Sequence, residues 1–171
     1  TGLKLMKYDL IQSKIDVQKR FPGDLPAVQG DPAQLEQVCL NLIANARQAM
    51  EGKKDGVLKI SASSGAGRIV LRFEDNGCGI PPENLDKVFD PFFTTKPVGQ
   101  GTGLGLSVSH GIILQHKGTL RVESKVGTGT AFIISLPVPA KDCLDPLYLE
   151  FQKELPVAHP GVCESVGIPR R

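Results

Sequence analysis

Apolar side chains along this chain switch repeatedly between helical and strand-like spacing. Leu35, Val38, Leu42, Ala46 and Ala49 recur at three- and four-residue intervals, which puts them on one helix face. The preceding Asp31-Pro32-Ala33-Gln34 is a helix start, with Asp as N-cap, Pro in the first turn and Gln three residues on. This predicts a helix to about Met50, with Gly52 as its stop. Val57–Ser63 and Arg68–Asp75 alternate with period two and flank Ser64-Gly65-Ala66-Gly67, a predicted hairpin. A short helix is expected near Glu83–Val88, and a second long one from near Gly103 to Lys117-Gly118. Thr119–Ser124 and Thr130–Leu136 read as a closing strand pair around Val126-Gly127-Thr128-Gly129. Residues 3–12 suit a short helix and Ile15–Phe21 a strand, with Pro22-Gly23-Asp24 as a turn. Helices grouped against a mixed or antiparallel sheet predict an α+β, two-layer sandwich.

Beyond Pro139 the periodicity fades. Residues 141–171 hold one weakly helical piece, Pro146–Leu155, followed by turn formers. The expected division is a domain over 1–138 and a tail over 139–171. A length of 171 residues suits one domain. A net charge of +2 implies no strong field for nucleic acid or a membrane surface. Cys39, Cys78, Cys143 and Cys163 form no CxxC pair, so free thiols in a reducing cytoplasm are expected. Neither a signal peptide nor a membrane-length apolar run is visible. The first residue is Thr, which suits a piece of a longer chain.

Three constellations carry candidate chemistry. Asn41 and Asn45 lie one turn apart at the edge of the apolar helix stripe. Asn is a poor helix-interior residue, so each needs a partner. They are either core-edge amides bonding nearby loops or a polar pair facing a ligand; an amide oxygen suits Mg²⁺. Asp75 shares a strand face with Ile69, Leu71 and Phe73, and a carboxylate aimed at a core needs a donor. With Asn76-Gly77 and Gly79 opening the backbone beside it, Asp75 suits the amine edge of a flat base such as adenine. A simple Asp-Asn-Gly turn is the alternative. Finally, glycines stand at every second position of Gly99-Gln100-Gly101-Thr102-Gly103-Leu104-Gly105-Leu106. Lys96 lies just upstream, and a helix begins at about Leu104, so its free N–H groups face the loop. The loop is either a phosphate cradle or a flexible spacer. Its glycines match neither GxxxxGK[ST] nor GxGxxG in register. Phe89, Phe92 and Phe93 precede it, crowded into a loop that either anchors itself or docks a partner.

Together these segments resemble a family. EQVCLNLIANARQAM is similar to the N box of bacterial two-component sensor histidine kinases, DNGCGI to their G1 box, FDPFFTTK to the F box and GQGTGLGL to the G2 box. GTGTAF, residues 127–132, resembles their last glycine box. The wording of NARQAM and FDPFFTTK is similar to nitrogen-regulation-type kinases. The chain thus resembles the catalytic ATP-binding domain of the GHKL group, which includes the gyrase B subunit and MutL. That resemblance implies a Bergerat fold, a mixed sheet under helices with an ATP lid. It implies ATP and Mg²⁺ as cofactors. Asp75 would bind the adenine amine, and Gly77, Gly79 and Ile80 would shape the base pocket. Thr130 would hold a bridging water. Asn45 would bind Mg²⁺, and Asn41 would line the phosphate site. Lys96, Thr102 and the backbone of Gly101, Gly103, Leu104, Gly105 and Leu106 would hold phosphates. Asn41 and Lys96 would be the catalytic pair.

Two departures stand out. Gln48 occupies a position where many members have Lys. The phosphoacceptor box is absent; His110, His116 and His159 lack its context, and structural or exposed roles are expected for all three. Water-activating relatives carry Glu at the Asn41 position. Asn cannot act as a general base, so Asn41 favours transfer to histidine over hydrolysis. A GHKL-fold ATPase, a serine/threonine kinase on the same fold and a non-catalytic nucleotide-binding regulatory module are the alternatives. The implied partners are a phosphoacceptor histidine hairpin domain, in the same chain or in trans, and a downstream response regulator. A monomer and a cytoplasmic location are expected.

Overall fold

A computed structural model describes residues 15–95 and 101–139. The elements run β1 (Asp16–Arg20), α1 (Pro32–Ala49), β2 (Val57–Gly65), β3 (Arg68–Asp75), α2 (Pro82–Leu85), α3 (Gly105–Gln115), β4 (Thr119–Lys125) and β5 (Gly129–Pro137). The five strands form one sheet in the order β1-β2-β3-β5-β4. β1 pairs parallel with β2, and the other neighbours are antiparallel, so the sheet is mixed. The predicted helix at 3–12 and the predicted piece at 146–155 lie outside the described residues.

Helix α1 forms where its signals place it. The Asp31 carboxylate accepts the N–H groups of Ala33 (2.9 Å) and Gln34 (3.3 Å), and Pro32 opens the helix. Val38, Cys39, Leu42, Ile43 and Ala46 are buried against the sheet. Burial pushes the Cys39 thiol up to about 12, with Glu36 adding to the shift, so this thiol is unreactive packing. The β2–β3 hairpin closes over Ala66 and Gly67, both at positive φ (51° and 69°). That is the two-residue turn whose twist matches paired strands.

Several boundaries differ by two or three residues from the sequence expectation: β2 runs on to Gly65, leaving a two-residue turn, and α3 ends at Gln115 rather than at Lys117-Gly118. Helix α3 starts at Gly105 rather than near Gly103, because Gly103 has φ +65° and is wedged against the backbone of Phe92. The short helix α2 ends at Leu85 rather than Val88.

The inward sheet face stacks apolar rows. Ile60, Phe73, Phe132 and Val122 are successive cross-strand neighbours, and Ala62, Leu71, Ile134 and Leu120 form the next row. Helices α1 and α3 cover this face and pack on each other. His116, just after α3, fastens the pair. Its Nε2 accepts the Asp31 N–H (2.9 Å), and its Nδ1 lies 2.8 Å from the Ile112 carbonyl, to which it donates as the neutral ring. His116→Ala is expected to cost about 1–2 kcal/mol by stranding a helix-start donor and opening a gap. Urea unfolding would show it as a lower midpoint, with nucleotide binding retained. A midpoint identical to the parent's would remove His116 from the structure's supports.

Candidate functional site

A cleft of about 490 Å³ opens between α1, the end of β3, the loop after it and the start of α3. Asp75 closes one end. It is 6% exposed, and its Oδ1 accepts the Gly77 N–H at 2.8 Å. Burial raises its pKa above the ordinary carboxylate value; the backbone N–H groups of Gly77 and Thr130 pull the other way without cancelling it. The sheet register sets Asp75 opposite Thr130, and both line the cleft with Phe132 behind them.

The loop after β3 is stitched on both sides. The Cys78 N–H donates to the Ala49 carbonyl at 3.0 Å, at the end of α1, and the Cys78 carbonyl accepts the Gly127 N–H at 2.8 Å. Asn76 plugs the neighbouring turn. Its Oδ1 accepts from the Val57 N–H (2.9 Å), and its Nδ2 donates to the Asp55 carbonyl (2.8 Å). Gly77 must be glycine because a Cβ would lie 2.6 Å from the Ala49 carbonyl oxygen.

At the other end, Asn41 reaches from α1 to α3. Its Nδ2 lies 3.2 Å from both the Gly105 carbonyl and the Ser109 hydroxyl, and Ser109 is itself fully buried. These are the partners that an asparagine at the core edge requires. The carbonyl oxygen of Asn41 is not used in either contact. Asn45 and Gln48 follow along the same wall of the cleft. The first N–H groups of α3 have no intrahelical acceptors, and they open onto the cleft where Gly101, Thr102 and Gly103 lead in.

Most of the positions picked from the sequence thus gather round one cavity: Asn41, Asn45, Asp75, Gly79, Ile80 and Thr130, with Gly101, Thr102, Gly103, Gly105 and Leu106. Gly77 stands behind the wall and holds Asp75. Leu104 also stands off the cavity, with its side chain partly exposed. Lys96 lies outside the described residues, as does His159. The three phenylalanines separate: Phe89 stacks on His110 with ring centres 5.0 Å apart, Phe93 lines the cleft, and Phe92 is 73% exposed. Sequence reasoning missed Ala44, Cys78, Val88, Thr94 and Thr95 as lining residues. All five lie within or beside the quoted motifs, but only the tertiary fold turns them inward.

Among the described residues, no helix is long and apolar enough to cross a membrane, and no cluster of three acidic, His or Cys side chains could hold a metal ion.

Comparison with known proteins agrees with this geometry. Residues 30–140 match the family model described as histidine kinase-, DNA gyrase B-, and HSP90-like ATPase. The sensor histidine kinase ZraS of Escherichia coli K12 is 41% identical over 137 residues, covering 80% of this chain and 29% of ZraS. The sensor kinase CckA of Brucella abortus is 41% identical over 148 residues, covering 79% of this chain and 16% of CckA. The chain therefore spans less than a third of either relative. Among solved structures, the nucleotide-free catalytic domain of the histidine kinase ThkA superposes with a TM-score of 0.70 at 31% identity, covering 81% of this chain and 90% of that one. The mycobacterial sensor histidine kinase MprB gives 0.69 at 28% identity, covering 81% and 93%. On the matching motifs, the mixed sheet and the cleft between its helices, this chain belongs to the histidine kinase-, DNA gyrase B- and HSP90-like ATPase family, in the form taken by the catalytic domains of sensor histidine kinases.

Proposed function

We propose that this chain binds Mg·ATP and passes the γ-phosphoryl group to a histidine on a separate helical hairpin, within a two-component signalling system. One observation carries the reading. A single cleft has a buried carboxylate at one end and an open helix N-terminus at the other, with Asn41 rather than a carboxylate beside the phosphate end. Asp75 accepts from the adenine amine, and Gly79, Ile80 and Phe132 wall the base. Thr130 holds a water at the base edge. The α3 N-terminus, Gly101–Leu106 and Thr102 take the phosphates, joined by Lys96.

The donor set fits a hard cation that arrives with the nucleotide. Asn45 offers one neutral amide oxygen, and phosphate oxygens and waters supply the rest. Such a cation neutralises phosphate charge during transfer. Asn41 lines the phosphate end with its Nδ2 protons spent on Gly105 and Ser109, so its free carbonyl oxygen faces water or the cation rather than phosphate oxygens. It cannot strip a proton from water, so the neutral imidazole of the acceptor attacks the γ-phosphorus as the bond to the β-phosphate oxygen breaks and ADP leaves. Asn41 and Lys96 stand as the catalytic pair.

Exposed apolar side chains support a docked partner at that end. Phe92 is held at φ +66°, and its N–H donates to the Gly103 carbonyl at 3.0 Å. Leu104 and Val108, one turn apart at the start of α3, add exposed apolar side chains at this end. A domain over 1–138 with a tail over 139–171, monomeric without its hairpin and acting in the cytoplasm where ATP is supplied, completes the proposal. A response regulator would receive the phosphoryl group next.

The test is calorimetric titration with a non-hydrolysable ATP analogue and Mg²⁺, followed by mixing with a purified acceptor hairpin and labelled ATP. Label on the hairpin in an acid-labile, base-stable form supports the reading. Release of free phosphate alone indicates a hydrolase, and saturable binding without turnover indicates a regulatory module. Asn45→Ala is expected to weaken ATP binding about tenfold with Mg²⁺ and little without it. Equal losses under both conditions would remove Asn45 from the metal site.

A further inference from the structure

Beside the apolar rows of the inward sheet face lies one row that is mostly polar: Leu58, Asp75, Thr130 and Ser124 are successive cross-strand neighbours, and of these Asp75 and Thr130 line the cleft. Ser124 has no part in the reading above, yet its hydroxyl meets three groups. The Ile80 N–H donates to it at 2.8 Å, the Gly129 carbonyl lies 2.9 Å away and the Thr130 hydroxyl 2.9 Å away. A serine hydroxyl has one proton and two lone pairs. The Ile80 N–H can only donate, so it takes one lone pair. The Gly129 carbonyl can only accept, so it takes the proton. All three contacts are made together only when Thr130 donates to the remaining lone pair. The Thr130 proton is then turned away from the cleft, and its oxygen stands beside the Asp75 carboxylate as a second acceptor.

We propose that Ser124 is a positioning residue for base recognition, which holds Thr130 as an acceptor at the base edge and fixes the Ile80 wall. This rests on the nucleotide reading above. Two adjacent acceptors suit an exocyclic amine and a water that donates to them. A purine with a carbonyl at that position sets oxygen against oxygen. Without the Ser124 hydroxyl, the Thr130 proton is free to turn into the cleft and meet such a carbonyl, and the Ile80 N–H loses its acceptor.

The experiment measures dissociation constants of the imidodiphosphate analogues of adenosine and inosine triphosphate, by calorimetry with competition for the weaker ligand. The proteins are the parent, Ser124→Ala, Thr130→Val, the double variant and Ser124→Thr. Ser124→Ala is expected to weaken the adenosine analogue about tenfold and to narrow the adenosine-over-inosine preference by a similar factor. Ser124→Thr, which keeps the hydroxyl, should restore the preference. In the Thr130→Val background, removing the Ser124 hydroxyl should narrow the preference no further. Equal weakening of both analogues, or additive losses in the double variant, would reduce Ser124 to loop support and overturn the inference. If Ser124→Ala does not fold, Ser124→Cys keeps the size, replaces the hydroxyl by a weak S–H and is read by the same ratio. A parent protein that binds neither analogue overturns the nucleotide reading itself, and the inference with it.

Discussion

Asp75→Asn is expected to lower nucleotide affinity by more than about a hundredfold while the fold persists. The carboxylate sits 6% exposed at the end of the cleft and already receives the Gly77 N–H at 2.8 Å. Asparagine keeps one acceptor oxygen and puts an NH₂ where the second stood. That NH₂ then faces either a backbone donor or the ligand's amine, so a donor meets a donor. Hydrogen bonds to a charged acceptor contribute about 1.5–3 kcal/mol each, and a stranded donor adds a comparable cost, which together reach the hundredfold range. Calorimetry on both proteins, with circular dichroism to check the fold, decides it; unchanged affinity would end the adenine assignment.

Stability should move the other way. Burial raises the folded-state pKa of Asp75 above its ordinary 3.8. The associated stability is fully present below the unfolded value and is lost as pH rises through the folded one. At neutral pH the parent therefore carries the cost of a buried charge that the asparagine variant lacks. The variant should melt no lower than the parent at pH 7, and any advantage should shrink toward pH 3. In the parent, nucleotide affinity should fall on acidification at a higher pH than an ordinary carboxylate would allow, because binding needs the ionised acceptor. Titrations across pH 4–8 would show this, and a flat profile would count against Asp75 as the acceptor.

Gly79→Ala is expected to destabilise the domain by about 2–5 kcal/mol and to abolish binding in whatever remains folded. Gly79 has φ +76°, where an L side chain costs about 1–2 kcal/mol. A Cβ there would run into the Lys125 carbonyl and lie 2.9 Å from the Val126 Cα. The loop cannot retreat freely, because Cys78 is tied to Ala49 on one side and Gly127 on the other. Overpacking against backbone adds about 1–3 kcal/mol. A melting temperature lower by roughly 10 °C is the expected result. The displacement would also pull Ile80 off Ser124 and Thr130 away from Asp75. A variant with the parent's melting temperature would show that the loop adapts more easily than its ties imply.

The sequence by itself determined the elements whose causes are local. The Asp31 cap and Pro32 set the start of α1, period-two alternation delimits β3 from Arg68 to Asp75, and Ala66-Gly67 makes the hairpin turn. The quoted motifs also marked most residues that line the cleft, since glycines, paired asparagines and an inward Asp are costly patterns outside a site. Their proposed roles rest on that pattern and on the cavity they share. Tertiary structure decided what depends on distant partners. β5 pairs with β3 rather than following the chain order, and β1 joins β2 in parallel. His116 finds Asp31 across 85 residues, Asn41 finds Ser109 across 68, and Ser124 binds Ile80 across 44. Phe89, Phe92 and Phe93 look alike in sequence, yet one stacks on a histidine, one faces solvent and one lines the cleft. Capping, turns and periodicity act within about one turn or one strand step. Which buried donor meets which acceptor depends on the register of a whole sheet and on the helices that cover it.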